Sequence, residues 1–577
     1  MTNAPRPALD PAGLHGVNRR QFLRFSGALS AAAALTAALG ACGGPASTNS
    51  SAGNSPAAAP TGAAGGSSPA TAAASAANGS SAPSAAPTGT IECTLAFTLS
   101  SGFDPMNASS AVGTAANEHI FEGLVNLDPV SRQPYLALAK AQPTASADNK
   151  TWTVTLRDGA KFSDGTPVTA EDVAWSFTRA LDPANKALMA GFISFIDTAT
   201  AKDASTVEFA LKTPFSLFAQ RIAVIKIVPK ALTKDAAASK TFDTKPVGSG
   251  PYSVTKADAT AGITFGVNSH YNGPRPATVT AMTWNTTTED STRVADLQSG
   301  RVQAIESVPY VNVAQIKQQF QVDEVQGFNQ VFLMFNCSAK PFDDKRVRQA
   351  LHYALDSDQI IKTALQGFGS AATSYIDEGN SSYQKAATVY GFDADKAKSL
   401  LAAAGASNLS FELVTTDNAI VKAAAPLLID SWKQIGVTAT LNTAPSSSVY
   451  GTAPSGLVAN DKFRVLAASG DPSVFGPDCD LLLRWFYYGE TWPVDRFRWS
   501  KATATKATDL IDKAAQEKDA ATQKSLWKQV LDLVADEAPL YPVFHTKIIT
   551  GSDPKKLQGF KGAPTTGLYF LNVKRTG

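Results

Sequence analysis

The sequence predicts an α/β protein with at least two lobes, and three observations support this fold class. The chain has 577 residues, whereas a single hydrophobic core stops growing at roughly 250–300 residues. From residue 90 onward, strand-like and helix-like patterns alternate, which is typical of α/β proteins. The same stretch shows no internal repeat with a period of about 20–50 residues, so neither a solenoid nor a propeller is expected.

Residues 1–41 predict an export signal. Arg19-Arg20 is followed by Phe22-Leu23 and by an apolar run that ends in Leu39-Gly40-Ala41-Cys42. The paired arginines resemble a bacterial twin-arginine signal, and the last four residues resemble a lipobox, whose cysteine is acylated before cleavage. A short membrane helix is the alternative, but the apolar run is below the ~20 residues that span a bilayer. We therefore expect an extracytoplasmic protein anchored to the bacterial cell membrane by a lipid on Cys42.

A tether follows the signal. Apart from Asn49, Asn54 and Asn78, residues 43–89 are all Ala, Gly, Pro, Ser or Thr. A segment without charged, aromatic or large apolar side chains has nothing with which to form a core. Together with Cys42 it gives a predicted flexible tether, 42–89, whose average span as a random coil is roughly 40 Å.

Composition and motifs exclude several classes of function. The chain has 51 basic and 49 acidic residues, and +3 of the charge lies in residues 1–41, so the rest lacks the positive surface that nucleic-acid binding needs. The five histidines are widely separated and Cys-x-x-Cys is absent, so we expect no metal site and no cofactor. Neither a Gly-x-Ser-x-Gly elbow nor a phosphate loop is present, and we expect no enzymatic activity.

Strand, turn and helix-start patterns occur together between residues 151 and 172. Residues 151–156 read Thr-Trp-Thr-Val-Thr-Leu, an alternation that predicts a strand with one buried face. Gly159 and Gly165 each follow an aspartate, which predicts two tight turns. Thr169 with Asp172 three residues later predicts a capped helix start.

Later segments predict further elements of both kinds. Asp343 to Leu365 is a long helical region with apolar residues at helical spacing. Asp393 and Gly405 are suited to begin and end another helix. Ala424 to Ile435 predicts a helix, and Val437 to Leu441 predicts the strand after it.

Five sequence blocks, taken together, carry a family resemblance. The blocks are Trp152–Phe177, Pro246–Tyr252, Arg293–Gly300, Phe335–Asp356 and Ala538–Pro542. In this order they resemble the oligopeptide/dipeptide/nickel family of extracellular solute-binding proteins of ABC transporters, with Ser249 where the family has threonine. The blocks span almost the whole body from residue 90 to the end, so the resemblance concerns the whole fold.

The resemblance implies a two-lobed, periplasmic-binding-protein-like fold (class II, with an extra subdomain) that closes over a solute like a hinged trap. Carried onto this chain, it gives lobe I as 90–125, 243–326 and 538–577, an extra subdomain of lobe I as 126–242, and lobe II as 327–537. The hinges would lie near Gln326 to Phe335 and near Asp536 to His545. The solute would bind between the lobes.

Asp471 is the first candidate ligand residue. It lies ahead of Pro472, where peptide-binding members of the family have an aspartate that binds the peptide's α-ammonium group. A ligand ammonium would compensate a carboxylate that loses water on closure. The alternative is that Asp471 caps a turn before Pro472. This chain lacks the family's tryptophan just upstream, which weakens the analogy. Phe475 belongs to the same candidate stretch.

Aromatic density gives further candidates. Residues 483–492 contain four consecutive aromatic residues, and Trp485 and Tyr487 either touch ligand or fill the core of lobe II. Arg484 is a candidate for a ligand carboxylate. Phe103 and Met106 lie in the loop after the first strand, where family members often contact solute.

The three cysteines after Cys42 leave two possibilities. Cys337 and Cys479 fall in the same predicted lobe and could form a disulfide with Cys93 left over; alternatively, all three are buried thiols. Their spacing does not choose between these states.

The resemblance makes this chain the substrate-binding component of an ABC importer. It would capture a short peptide or peptide-like solute and deliver it to a membrane permease and its ATPase, acting as a monomer. An oligosaccharide, an opine, a haem or a metal chelate are alternative cargoes, although scarce histidine and methionine disfavour metal and haem. A surface sensor or chaperone and a secreted hydrolase are the alternatives of a different class.

Overall fold

The computed structural model describes residues 86–99, 101–108, 110–185, 187, 189–451 and 456–577. They all belong to one compact unit, 79–577. The predicted signal, Cys42 and nearly all of the predicted tether lie outside the described residues. In the described part of the chain, none of the helices has the length and apolar character needed to cross a membrane.

The helices are distributed along the whole described chain. They are α1 Ala111–Ile120, α2 Ala170–Leu181, α3 Phe218–Arg221, α4 Lys230–Thr233, α5 Ala236–Thr244, α6 Asp290–Gln298, α7 Val313–Ile316, α8 Lys345–Tyr353, α9 Ser357–Ala364, α10 Ala394–Ala403, α11 Ala419–Gln434, α12 Ser446–Tyr450, α13 Cys479–Tyr487, α14 Lys501–Gln516 and α15 Ala520–Glu537. Short 3₁₀ helices cover Pro183–Asn185, Ala190–Ile193, Ile222–Val224, Tyr310–Asn312 and Pro472–Val474.

The strands alternate with these helices. They are β1 Thr90–Leu95, β2 Val125–Leu127, β3 Pro134–Leu136, β4 Thr144–Ala145, β5 Thr151–Thr155, β6 Ile196–Ala201, β7 Thr206–Leu211, β8 Tyr252–Asp258, β9 Gly262–Val267, β10 Ala281–Thr286, β11 Ala304–Ile305, β12 Gln321–Phe335, β13 Gly369–Ala371, β14 Ser410–Thr416, β15 Thr438–Ala444, β16 Val465–Gly470, β17 Leu540–Ser552, β18 Leu557–Gln558 and β19 Lys574–Arg575.

One eleven-stranded mixed sheet connects the two halves of the molecule. Its order is β15-β14-β16-β12-β17-β11-β1-β10-β9-β8, with β13 added on β17. The long antiparallel pair β12 and β17 lies in the middle, and its register shifts between Gln326 and Gln330. β11, β1, β10, β9 and β8 follow on one side, and β16, β14 and β15 follow on the other. Two strands therefore join two α/β halves, which gives the two-lobed body that the sequence predicts.

The predicted lobe boundaries fall on recognisable features of this sheet. The ranges predicted for lobe I contain β1 and β8–β11, and the range predicted for lobe II contains β13–β16. The predicted extra subdomain contains a separate four-stranded sheet, β4-β5-β7-β6. The apolar core of this small sheet is continuous with that around β12, β14 and β16, whereas β1, β9 and β10 pack in a cluster of their own. The division itself stays a prediction.

Local signals between residues 151 and 172 are confirmed. Thr169 and Asp172 form a reciprocal capping box at the start of α2. Gly159 and Gly165 have φ angles of +68° and +87°, a region that favours glycine. The strand pattern appears as β5, with Val154 fully buried.

The longer helix predictions need adjustment at their ends. Asp343 to Leu365 forms two helices rather than one, because the Asp356 side chain accepts from Gln359 N and starts α9. The helix predicted at 424–435 begins earlier, at Ala419, because Asn418 caps it. An aspartate or asparagine side chain thus decides each start.

Of the two possibilities left open for the cysteines, the disulfide between Cys337 and Cys479 does not form. Cys93, Cys337 and Cys479 are all free thiols in the structure. Cys337 follows the end of β12 that pairs with Val465, whereas Cys479 follows the opposite end of β16, beyond Gly470. A disulfide requires Cα atoms within about 7 Å, and the six-residue strand alone separates those ends by roughly 17 Å.

Candidate ligand-binding site

A small cavity lies where α1 and the extra subdomain face lobe II. Its volume is about 50 Å³, and its lining includes Asn117 and Glu118 of α1, Arg132 and Lys226 of the subdomain, and Phe475 of lobe II. Ligand pockets usually measure about 300–1,000 Å³. A solute larger than a small head group therefore enters this region only if the two sides move apart or if it extends beyond the cavity.

One wall of the cavity carries a buried ion pair. The Lys226 Nζ donates to Glu118 Oε2 at 2.8 Å and to Asn126 Oδ1 at 3.1 Å. Asn117, the residue before Glu118 on α1, has a buried Oδ1 without a hydrogen-bond partner. Buried polar atoms are normally hydrogen-bonded, so this oxygen is a free acceptor beside the cavity.

Asp471 caps a turn and also keeps one oxygen free. Its Oδ1 accepts from Ser473 N at 3.0 Å and from Ser473 Oγ at 2.5 Å, which is the turn-capping role considered for the sequence. Its Oδ2 is buried and has no partner. Burial raises the pKa of Asp471 to about 6, while the Ser473 bonds and the Arg132 charge oppose this shift and the Asp377 charge adds to it. The free oxygen is therefore suited to a cationic partner.

Arg132 reaches the same turn from the other side. It lies in the loop between β2 and β3, and its Nη2 donates to Ser473 O at 2.5 Å. Its Nε is buried and has no partner. Its φ of +60° is unusual for a residue other than glycine, and Asp128 holds the loop by accepting from Val130 N and Ser131 N. The loop thus presents a fixed guanidinium to lobe II.

Phe475 is the sequence-predicted residue that most directly lines the cavity. It also lines an adjoining groove of about 390 Å³ between the subdomain and lobe II. Its ring centroid lies 5.5 Å from that of Phe192 and 5.3 Å from that of Trp485. Trp485, half-buried, stacks on Phe192 at 5.9 Å. Trp485 therefore supports Phe475 and the contact between subdomain and lobe II.

Arg484 and Tyr487 are engaged within the protein. The Arg484 Nε donates to Asp480 and its Nη2 donates to Asp512, both at 2.8 Å. Tyr487 is fully buried, and its hydroxyl donates to Leu540 O at 2.5 Å. The structure does not bring either side chain to the cavity, and we leave both out of the proposed site.

The loop after β1 contributes different residues from those predicted. Phe103 is 2% exposed in the core of lobe I, and Met106 lines a separate void of about 10 Å³. Between them, Asp104 forms a buried two-bond ion pair with Arg179. Pro105 of this loop does line the cavity. The loop is near the site, but Phe103 is a core residue.

Sequence reasoning missed the polar residues that the extra subdomain and α1 supply. Asn117, Arg132 and Lys226 belong to none of the family blocks, and nothing in their local pattern marks them. Arg132 reaches the Asp471 turn through a contact across more than 300 residues of chain, and Asn117 and Lys226 line the cavity beside it. Across the described ranges, no group of three or more His, Cys, Asp or Glu side chains is arranged to hold a metal ion.

Comparison with known proteins identifies the family. The profile of bacterial extracellular solute-binding proteins, family 5 (middle region), matches residues 133–500, which is more than half of the chain. The chain belongs to this family. The family consists of binding proteins, and the lobes and cavity described above fit a solute-binding role. A twin-arginine translocation signal matches residues 16–36, so the predicted export signal is confirmed.

Relatives and solved structures agree with this assignment. The glutathione-binding protein GsiB of Shigella dysenteriae serotype 1 is 28% identical over 474 residues, covering 81% of this chain and 91% of that protein. The binding protein AgaA of A. tumefaciens R10, solved with agropinic acid, is 26% identical with a TM-score of 0.73, covering 85% of this chain and 99% of AgaA. The dipeptide-binding protein of Pseudoalteromonas sp. SM9913, solved with Met-Leu, has a TM-score of 0.75 at 20% identity, covering 85% of this chain and all of that one. The two-lobed periplasmic-binding-protein fold is therefore confirmed.

Proposed function

We propose that this protein is the substrate-binding component of an ABC importer that captures a short peptide or peptide-like solute between its lobes. The observation that carries the proposal is the buried, unpartnered Oδ2 of Asp471 at the contact between the lobes. A buried carboxylate oxygen without a partner is costly unless a cation completes it. The terminal ammonium of a peptide supplies that cation.

Relatives support an amine-bearing cargo. The glutathione-binding protein and the dipeptide-binding protein named above bind small peptides, according to their names, and AgaA was solved with agropinic acid. Glutathione and dipeptides carry both an amino group and a carboxylate. Two of these three proteins are named for peptide ligands, which supports a peptide-like cargo for this chain.

Capture follows from a shift in the population of closed molecules. A ligand that contacts both Asp471 in lobe II and the polar groups of α1 and the subdomain stabilises the closed arrangement. β12 and β17 are the connections at which backbone rotation would open the lobes, near the register shift at Gln326 to Gln330. The permease and its ATPase would then recognise the closed form, and no chemical step by this protein is needed.

The N-terminal signal indicates where the protein is located in the cell. The twin-arginine signal supports export, and we extend it to an acylated Cys42 that holds a monomeric body at the outer face of the membrane. Fractionation of cells that express the parent or Cys42→Ser tests the anchor. The parent should stay with membranes and the variant should be released; a variant that remains membrane-bound would contradict the lipid anchor.

The binding experiment uses calorimetric titration of the full chain with di- to pentapeptides. Free-amine peptides should bind, and their N-acetylated forms should bind at least 10-fold more weakly because the ammonium is lost. Asp471→Asn should remove this preference, and Asp461→Asn, at an exposed carboxylate paired with Arg498, is the control. Binding of an opine or a glycan but of no peptide would contradict peptide cargo.

A further inference from the structure

Arg132 and Asp471 are opposite charges that make no direct hydrogen bond to each other and are both bonded to Ser473. Both contact Ser473: its N and Oγ donate to Asp471 Oδ1, and its O accepts from Arg132 Nη2. The remaining groups, Arg132 Nε and Asp471 Oδ2, are both buried and unpartnered. One unpaired donor and one unpaired acceptor are thus fixed on two sides of a single residue.

The chemistry of the two free groups is complementary to a small zwitterion. A guanidinium binds a carboxylate with well-directed N–H bonds, and a carboxylate oxygen binds an ammonium. Since Ser473 contacts both side chains, the two ligand charges must also be close together. Asn117 lines the cavity together with Arg132, and its unpartnered Oδ1 offers a further acceptor for an ammonium hydrogen.

We propose that the site binds the head group of a free α-amino acid, in which one carbon carries both an ammonium and a carboxylate. The ammonium pairs with Asp471 and the carboxylate with Arg132, which makes Arg132 a specificity-determining residue. This proposal rests on the proposed function and narrows it. The amino end of an ordinary peptide has an ammonium next to a neutral amide and leaves Arg132 without its anion.

Available space indicates where the rest of such a ligand lies. The cavity of about 50 Å³ has room for a few water-sized groups, at ~10–15 Å³ each, and therefore for a head group alone. The groove of about 390 Å³ shares Leu127, Arg132, Val224 and Phe475 with the cavity. Its other lining residues include the polar Gln220, Gln523 and Tyr383 and the charged Arg221, Asp478 and Lys524. A polar chain extending from the head group fits this lining.

Two isomeric dipeptides test the proposal with equal mass and charge. The α-linked isomer of Glu-Ala presents an ammonium beside an amide, whereas the γ-linked isomer presents an ammonium and a carboxylate on one carbon. Calorimetric titration of the full chain at pH 7.5 should give a dissociation constant at least 10-fold lower for the γ isomer. Equal affinities, or tighter binding of the α isomer, would overturn the head-group proposal but leave peptide capture intact.

Variants locate the source of the preference. Arg132→Gln should weaken the γ isomer 10-fold or more and leave the α isomer within 2-fold, so that the preference disappears, whereas Asp471→Asn should weaken both. Arg346→Gln, at an exposed arginine paired with Asp344, is the matched control and should keep the preference. A preference that survives Arg132→Gln overturns the assignment of Arg132.

Circular dichroism checks folding of each variant, and the isomer comparison on the unaltered protein decides the head-group question in any case. If the unaltered protein binds neither isomer and no other peptide, both proposals fail together.

Discussion

Affinity for free-amine peptides should fall when the pH drops below about 6. The reason is Asp471, whose pKa burial raises to about 6 from the value near 3.9 of a free aspartate side chain. An ammonium ligand pairs with the ionised carboxylate, so protonation of Asp471 competes with binding. The raised pKa means that the ligand-free protein takes up this proton within the range of pH 7 to 5.

The expected loss of affinity follows from the fraction of Asp471 that is ionised. With a pKa of about 6, Asp471 is almost fully ionised at pH 7.5, while roughly one molecule in ten is ionised at pH 5. If the bound form keeps its carboxylate ionised, the dissociation constant rises about 10-fold between these values, or ~1.4 kcal/mol. Binding at pH 5 should then release nearly one proton per ligand, and binding at pH 7.5 almost none.

Other titrating groups near Asp471 define the controls. Arg132, Asp377 and Tyr375 all act on its charge or respond to it. Burial also raises the pKa of Asp377, so Asp377→Asn must be measured beside Asp471→Asn. Buried His119 and His545 have pKa values lowered to about 4, so they remain mostly neutral at pH 5 and do not produce this dependence.

The assay is calorimetric titration at pH 5, 6 and 7.5 in two buffers of different ionisation enthalpy, which counts the protons released. The parent should show the 10-fold change and Asp471→Asn should show a flat profile. The same change in Asp471→Asn, or a parent whose affinity is constant over this range, would refute the role of Asp471. Loss of the effect in Asp377→Asn with Asp471 intact would move the assignment to Asp377.

Two further predictions concern stability. Arg221→Met should lower the free energy of unfolding by about 3–5 kcal/mol, because it leaves the fully buried Asp480 with one fewer cation. Urea unfolding measures this loss, with Lys140→Met as a control at an exposed ion pair. Equal effects of the two substitutions would contradict the prediction. Gly262→Ala should destabilise by at least 1–3 kcal/mol, because its φ is +123° and a Cβ would lie 1.8 Å from a carbonyl oxygen of β10. A thermal unfolding midpoint unchanged from the parent would show that β9 adjusts without cost.

Arg221 also bears on how the lobes meet. It belongs to the extra subdomain, yet its guanidinium pairs with Asp478 at 2.5 Å and Asp480 at 2.8 Å in lobe II. Asp480 in turn pairs with Arg484. The subdomain and lobe II are therefore joined by a buried network of charges, of which Arg221 and Asp478 line the groove, in addition to the ring contacts of Phe192. Opening the lobes along this contact would require these charges to separate or to move as one unit.

Several motifs of the family are structural rather than ligand-binding. Arg348 illustrates this, since its guanidinium donates to Phe342 O and to Glu537 O and so joins α8 to α15. Gly250 lies against α1, where a Cβ would meet Ile120 C at 2.6 Å. Such residues hold the backbone packing together without touching the cavity, and this is why sequence blocks identify the fold better than the cargo.

The sequence by itself determined the α/β class, the export signal, the capped helix starts at Thr169 and Asp393, and the candidate status of Asp471 and Phe475. These depend on local chemistry: alternation, capping side chains and positive-φ glycines act within a few residues. It did not determine that Cys337 and Cys479 lie at opposite ends of β16, because strand order is a property of the whole sheet.

Only the tertiary structure decided which side chains face the cavity. Arg132 and Asp471 are 339 positions apart; Asp471 bonds to Ser473 through a local turn, and Arg132 reaches Ser473 only because the β2–β3 loop packs against lobe II. Conversely, Tyr487 is an aromatic residue of the kind that often binds ligands, but it is fully buried and its hydroxyl donates to Leu540 O. Burial and long-range contact depend on how separate segments pack together, and no short window of sequence contains that information.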